Sequence, residues 1–178
     1  MNPLKMPMSP GKLSVLVCKD FACVKIAGRA NYISSPDFKT LLNELIAKNY
    51  RRFIIDLSEC VLMDSTFLGV LAGFGLKIQP GESGHDGIEL FNANARVAEL
   101  LENLGVARLF KMTGGALQLP GNVKTGTPEL ASPSHEEITR TCLEAHQTLM
   151  KMNPENAARF KDVARFLTED LKTLEKGK

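Results

Sequence analysis

The chain has 178 residues, of which 44% are hydrophobic and 24% charged, enough for one well-cored domain or for one domain carrying an appendage. Its 22 basic and 20 acidic residues leave a net charge of +2, which gives no global electrostatic reason for contact with nucleic acid or an anionic membrane. The longest apolar run, Phe67 to Leu76, is about half of the ~20 residues a bilayer span requires, and the expectation is a cytoplasmic protein without membrane insertion.

Residues 1–12 read as a flexible lead-in, because prolines at 3, 7 and 10 discourage both helix and central strand, and no signal-peptide pattern is present. Leu13 to Cys18 and Phe21 to Ala27 are β-prone and separated by Lys19-Asp20, a spacing that suits a tight hairpin. Gly28-Arg29-Ala30-Asn31 leaves the second strand, and Asn31 either shapes a turn there or hydrogen-bonds a partner. Ser35-Pro36-Asp37 reads as cap, first helical proline and first-turn acid of a helix running to about Lys48. Phe38, Leu41, Leu42, Leu45 and Ile46 recur along it at helical spacing and predict an amphipathic layer on a sheet.

The short apolar-centred run from Arg51 to Ser58 suits a buried strand. It feeds the segment Val61-Leu62-Met63-Asp64-Ser65-Thr66-Phe67-Leu68-Gly69-Val70-Leu71, in which Asp64 can cap a helix and Ser65 and Thr66 take its exposed opening positions. That helix carries Phe67, Val70, Leu71, Phe74 and Ile78 on one face and Leu68, Ala72 and Gly75 on the other, so it is expected to be largely buried. Phe67 either turns inward with this face or points out as an anchor for a partner.

Residues 79–87 read as a surface turn, and their glycines precede a strand rather than a helix, unlike a phosphate-cradling loop. Ile88 to Phe91 is the next strand, Asn94 to Leu104 a helix stopped by Gly105, and Val106 to Met112 a last, edge strand. Residues 113–133, rich in Gly, Pro, Thr and Ser, mark a linker or an irregular wrap. Ser134-x-x-Glu137 is a capping-box pattern and Asn153-Pro154-Glu155 opens a further helix, giving two helices over 134–152 and 154–176. In the second, Phe160, Val163, Phe166, Leu167, Leu171 and Leu174 form an apolar stripe that packs on the core or the preceding helix, or makes a homodimer or partner surface.

No enzymatic constellation emerges. Ser65 lacks a Gly-x-Ser-x-Gly elbow, and the histidines lie in the turn-rich loop or the C-terminal helices. Cys142 and His146 fall four apart on one helix face, yet no neighbouring Cys or His completes a tetrahedral site, so no metal is expected. Asp56 and Asp64 are explained by a strand end and a helix cap. Cys18, Cys23, Cys60 and Cys142 show no Cys-x-x-Cys spacing and are expected to be reduced. There is no Gly-rich loop with lysine to hold ATP, and no cofactor or catalytic residue is assigned.

Met63-Asp64-Ser65-Thr66-Phe67-Leu68-Gly69-Val70 resembles the Met/Ile-Asp-Ser-Ser/Thr-Gly-Leu-Gly-Val segment of the STAS family, with Phe67 in place of the usual glycine and Asn31 at a corner that often carries aspartate. The order of elements from about Leu13 to Met112 is similar too. The resemblance implies an α/β fold with a mixed β-sheet and helices mainly on one side over 13–112, followed by a linker (113–133) and a C-terminal helical extension (134–176). It also implies the function of an anti-sigma factor antagonist. Such a protein binds an anti-sigma factor serine kinase and is switched when that kinase phosphorylates the first serine, here Ser65, with a PP2C-type phosphatase to reset it. Asn31, Asp64, Ser65, Thr66, Phe67 and Leu68 are then the expected partner-binding residues. The alternative is a non-switching STAS scaffold, for instance a cytosolic accessory subunit of a membrane transporter.

Overall fold

The computed structural model describes residues 11–121 and 123–178. The expected flexible lead-in therefore lies largely outside the described residues, but its last two positions belong to the sheet. Gly11 donates its amide to the Arg29 carbonyl, and strand β1 (Lys12–Val17) already includes Lys12.

β1 folds back on β2 (Ala22–Ala30) through the expected hairpin, closed by a bond from the Cys18 amide to the Phe21 carbonyl. After α1 (Ser35–Ala47) comes β3 (Arg52–Asp56), which pairs in parallel with the first half of β2. The second half of β2 pairs with β4 (Cys60–Met63), a strand not anticipated in the sequence. Helix α2 (Ser65–Lys77) follows directly. β5 (Gly87–Phe91) adds in parallel to β3, and α3 (Ala95–Asn103) leads through Gly105 to β6 (Lys111–Thr113) on β5. The sheet order is β6-β5-β3-β2-β1-β7, with β4 attached to β2 alone.

Two boundaries differ from the sequence reading. The stretch expected as an edge strand over Val106 to Met112 begins instead as a 3-10 turn (Ala107–Leu109), with Val106 and Phe110 buried on either side of it. An apolar run with a turn inside cannot be told from a strand by hydrophobicity alone. The α1 cap also sits one residue earlier, at Ser34. Its side chain does not cap the helix, and the Ser35 hydroxyl donates to the Asn31 carbonyl at 2.9 Å.

The principal core lies between the sheet and its helices. Val24, Ile26, Phe53, Ile55, Ile88 and Leu90 point from the strands into Phe38 and Leu42 of α1, Phe67, Leu68 and Leu71 of α2, and Val97 and Leu101 of α3. The rings of Phe38 and Phe67 stack with centroids 4.5 Å apart, both fully buried. The opposite face of the sheet carries a smaller cluster of Cys18, Phe21, Cys23, Ile54 and Phe91, against which Leu117 and Val123 pack. The segment expected as a linker thus travels from β6 at one edge to β7 (Lys124–Gly126) at the other, where it pairs antiparallel with β1. It covers sheet that would otherwise be open, and it occupies an edge that would otherwise be free to pair with another chain.

α4 (His135–Met152) and α5 (Pro154–Lys176) form the expected helical hairpin. The Ser134 capping box is complete: the Ser134 hydroxyl accepts from the Glu137 amide and the Glu137 carboxylate from the Ser134 amide. At the turn, the buried amide of Asn156 donates to the carbonyls of Leu104 and Leu149, each at 2.9 Å, tethering the hairpin to the end of α3. Of the α5 stripe, Leu171 is buried and Phe160, Leu167 and Leu174 partly so, while Val163 and Phe166 face solvent.

Deleting the Phe67 ring would leave a cavity under Phe38 that the rigid sheet cannot fill. Phe67→Ala is therefore expected to lose about 3–5 kcal/mol in urea unfolding monitored by circular dichroism, against a change under ~0.5 kcal/mol for exposed Lys161→Ala.

Candidate functional site

One carboxylate holds the junction between β4 and α2. Asp64 stands just outside the helix with an extended backbone, and its Oδ1 accepts from the Phe67 amide at 2.8 Å. Its Oδ2 accepts from the Tyr32 amide at 2.7 Å, while its own amide donates to the Ala30 carbonyl at 2.9 Å. The loop after β2 and the start of α2 are thereby locked to each other. Burial raises the Asp64 carboxyl above the ordinary carboxylate range, opposed by the Phe67 and Tyr32 amides and by His146 nearby. Asn94 supports the same corner from α3, donating to the carbonyls of Cys60 and Val61 while capping its own helix at the Val97 amide.

Ser65 is the first residue of α2 and is half-buried. Its Oγ lies 3.0 Å from Nε2 of His146, a buried residue of α4 that is 81 positions away in the chain. The other ring nitrogen, Nδ1, sits 2.7 Å from the Cys142 carbonyl. A carbonyl oxygen only accepts, so Nδ1 carries a proton, and in the neutral ring Nε2 accepts from the Ser65 hydroxyl. The ring of Phe160 from α5 lies 4.9 Å from the imidazole and closes it from behind. The neighbouring Thr66 is buried and donates its hydroxyl to the Cys142 sulfur at 3.7 Å. Burial pushes the Cys142 thiol up, with the Thr66 hydroxyl acting in the opposite direction.

One turn further on, α2 and α4 meet backbone to backbone. A Cβ on Gly69 would stand 2.5 Å from the Ala145 carbonyl oxygen and 2.7 Å from its Cβ, so only glycine fits this crossing.

The expected contact residues divide sharply. Asp64 and Ser65 retain surface, whereas Thr66, Phe67 and Leu68 are enclosed, and their side chains offer a partner nothing in this arrangement. Phe67 takes the inward of its two orientations. Asn31 is buried in its own turn, where Oδ1 accepts from the Ile33 and Ser34 amides at 3.2 and 3.3 Å, leaving Nδ2 buried without a partner. His146 is the site residue that sequence reasoning missed; the only local signal was its spacing from Cys142 on one helix face.

Ser65 and His146 share a donor–acceptor geometry with hydrolytic pairs, but three surface cavities of about 320, 200 and 850 Å³ are lined by neither residue. Among the described residues, no group of three or more His, Cys, Asp or Glu side chains is placed to hold a metal ion. Nor is any helix among them long and apolar enough to cross a membrane.

A family model described as STAS domain matches residues 13–115. The chain belongs to the STAS family. Strands β1 to β6 (β1 from Leu13 on) and helices α1, α2 and α3 fall within the matched span, while β7, α4 and α5 lie outside it. Among solved structures, an anti-sigma factor antagonist from Mycobacterium paratuberculosis is 17% identical over 58% of this chain and 85% of its own, with a TM-score of 0.51. A candidate anti-sigma factor antagonist from Thermotoga maritima is 23% identical over 60% of this chain and 86% of its own, with a TM-score of 0.48. The Bacillus cell fate determinant SpoIIAA in its phosphorylated form is 14% identical over 57% of this chain and 89% of its own, with a TM-score of 0.45. At such identities the likeness is one of fold. No curated protein sequence matches the chain significantly.

Removing the Asp64 carboxylate strips two backbone amides of their acceptor. Asp64→Ala is expected to cost about 2–3 kcal/mol at neutral pH, and Asp64→Asn, which keeps one acceptor oxygen, about half as much. Because the folded carboxyl titrates above its unfolded value, its contribution is full below the unfolded value and declines as pH rises through the folded one. The deficit of Asp64→Asn relative to wild type should therefore be larger at about pH 4 than at about pH 7 in parallel urea titrations.

Proposed function

We propose that this STAS protein is a regulator of the anti-sigma factor antagonist type, which binds an anti-sigma factor serine kinase and is switched by phosphorylation of Ser65. The observation that carries this reading is the difference between two adjacent hydroxyls. Thr66 is buried with its hydroxyl on Cys142, whereas Ser65 is half-exposed at the mouth of α2 with its hydroxyl on His146.

In the proposed step, Ser65 Oγ attacks the γ-phosphorus of ATP held by the kinase. The Oγ–P bond forms, the bond from that phosphorus to the bridging oxygen of the leaving ADP breaks, and the hydroxyl proton passes to a base. The product places about 1.5–2 negative charges at the start of a helix. Its free amides favour an anion there by roughly 0.3–1 kcal/mol, so the domain tolerates the modification. The same charge beside Asp64 repels an acidic docking surface, and every ~1.4 kcal/mol of repulsion is tenfold in affinity. Binding therefore falls while the fold persists. A PP2C-type phosphatase would then restore the hydroxyl by hydrolysis.

Incubation with the host's anti-sigma kinase and magnesium ATP, followed by mass spectrometry of residues 61–71, is expected to find one phosphate on Ser65 in wild type and none in Ser65→Ala. Ser65→Asp should bind the kinase at least ~10-fold more weakly than wild type in calorimetry, and equal affinities would overturn the switch.

A further inference from the structure

Where α4 crosses the start of α2 the contacts are polar, although the same helix also sends Ala145 and the fully buried Leu149 into the principal core. Toward the sheet and α1, α2 buries Phe67, Leu68 and Leu71. Toward α4 it presents Ser65, Thr66 and Gly69 to His146, Cys142 and Ala145: two hydroxyls, an imidazole, a thiol and two minimal side chains. Surfaces that separate during function are more polar than cores. The flanking tie is also ionic, an exposed pair between Lys39 of α1 and Glu144 of α4 that water and salt screen. None of the α4 residues belongs to the span matched by the STAS family model.

We propose that the α4–α5 hairpin is a built-in competitor for the Ser65 face of α2, closing it against a kinase until a partner helix takes its place. The proposal rests on the reading of Ser65 as the phosphoacceptor. In the closed state His146 holds the Ser65 hydroxyl and stands where an incoming phosphorus must approach. A phosphoryl group on Oγ needs the space that Nε2 fills at 3.0 Å, so phosphorylated Ser65 and the closed hairpin exclude each other. The displaced helix also specifies its replacement. The partner must bring a helix with a small side chain over Gly69, because the crossing admits nothing larger, and a hydrogen-bond acceptor for Ser65. Opening breaks the contacts of His146 and Cys142 and the Asn156 bond to Leu104, and withdraws Ala145 and the fully buried Leu149 from the principal core, while the strand pairing beneath is kept.

The test uses the full chain and two variants that leave Ser65 intact. Ala145→Arg wedges α4 away without altering α2, while Thr66→Cys places a thiol beside Cys142 so that a mild thiol oxidant can pin α4 down by a disulfide that dithiothreitol releases. Hydrogen exchange is expected to be at least tenfold faster in α4 of Ala145→Arg than in wild type, with β2 and β3 equally protected in both. A fluorescent peptide of residues 134–178 should bind Ala145→Arg at least tenfold more tightly than wild type, and should not bind oxidised Thr66→Cys. Loss of β2 and β3 protection in Ala145→Arg would show the hairpin to be part of one indivisible core, and failure of that variant to bind the peptide would show that α2 is no docking face; either overturns the proposal. Exchange of hairpins between two copies, seen as a dimer of wild type in sedimentation, would overturn the intramolecular competitor as well. With the kinase present, Ser65 should be phosphorylated at least tenfold faster in Ala145→Arg than in wild type, and equal rates would overturn the cover while leaving the acceptor in place. If neither is phosphorylated, the acceptor reading falls, and the exchange and peptide results still decide whether the hairpin opens.

Discussion

The carboxylate of Asp64 is the constraint on which the arrangement depends. A helix start leaves several amides without partners, and here one of them and the amide of Tyr32 share a single side chain. Because the Asp64 amide is fixed to Ala30 as well, the end of β2, the end of β4 and the start of α2 form one rigid corner. Ser65 inherits its position from that corner. It need not cap anything, since Asp64 already does, and its hydroxyl is left for other chemistry. A serine at the cap position would instead spend its oxygen on the helix.

Rigidity on one side of α2 is matched by close approach on the other. Phe67 fills the place of a family glycine and faces Phe38, adding aromatic stacking to the α1–α2 contact. Gly69, by contrast, is kept free of a side chain so that α4 can lie directly on the helix. The two positions are two residues apart and face different neighbours, so this STAS domain enlarges its core and strips its surface within a single turn of helix. The outcome is an α2 covered on both sides, which accounts for the near absence of polar residues along it.

Features that depend on neighbours within a few residues were legible in the sequence. The caps of Asp64 and Ser134 bond to amides three residues on, and the spacing of Phe38, Leu41, Leu42 and Leu45 alone places a buried face on α1. The family segment around Ser65 identified the domain for the same reason. What escaped reading depends on distant chain. β4 is four residues long and is a strand only because the second half of β2 has no other partner there. β7 is Lys-Thr-Gly, polar and without β-branched runs, and is drawn into the sheet by the free edge of β1. His146 looks, from its own helix, like half of a Cys-His pair. Its imidazole is turned by the Cys142 carbonyl toward a hydroxyl that no local pattern connects to it.

That imidazole also explains how a buried polar layer can exist here at modest cost. Each of its nitrogens has a partner, the Thr66 hydroxyl has the Cys142 sulfur, and neither hydroxyl is left to compete with water from inside the protein. An unpaired hydroxyl or imidazole in the same place would cost about 1–3 kcal/mol. Full pairing makes the closed state tolerable, but it adds little net stability, since water offers the same groups equivalent bonds once the helices part. The apolar part of the attachment is carried by Leu149 and Ala145, both buried in the principal core. The matched polar groups over the glycine crossing fix the register of the two helices, while the grip comes from the apolar side chains that α4 sends into the core beside them.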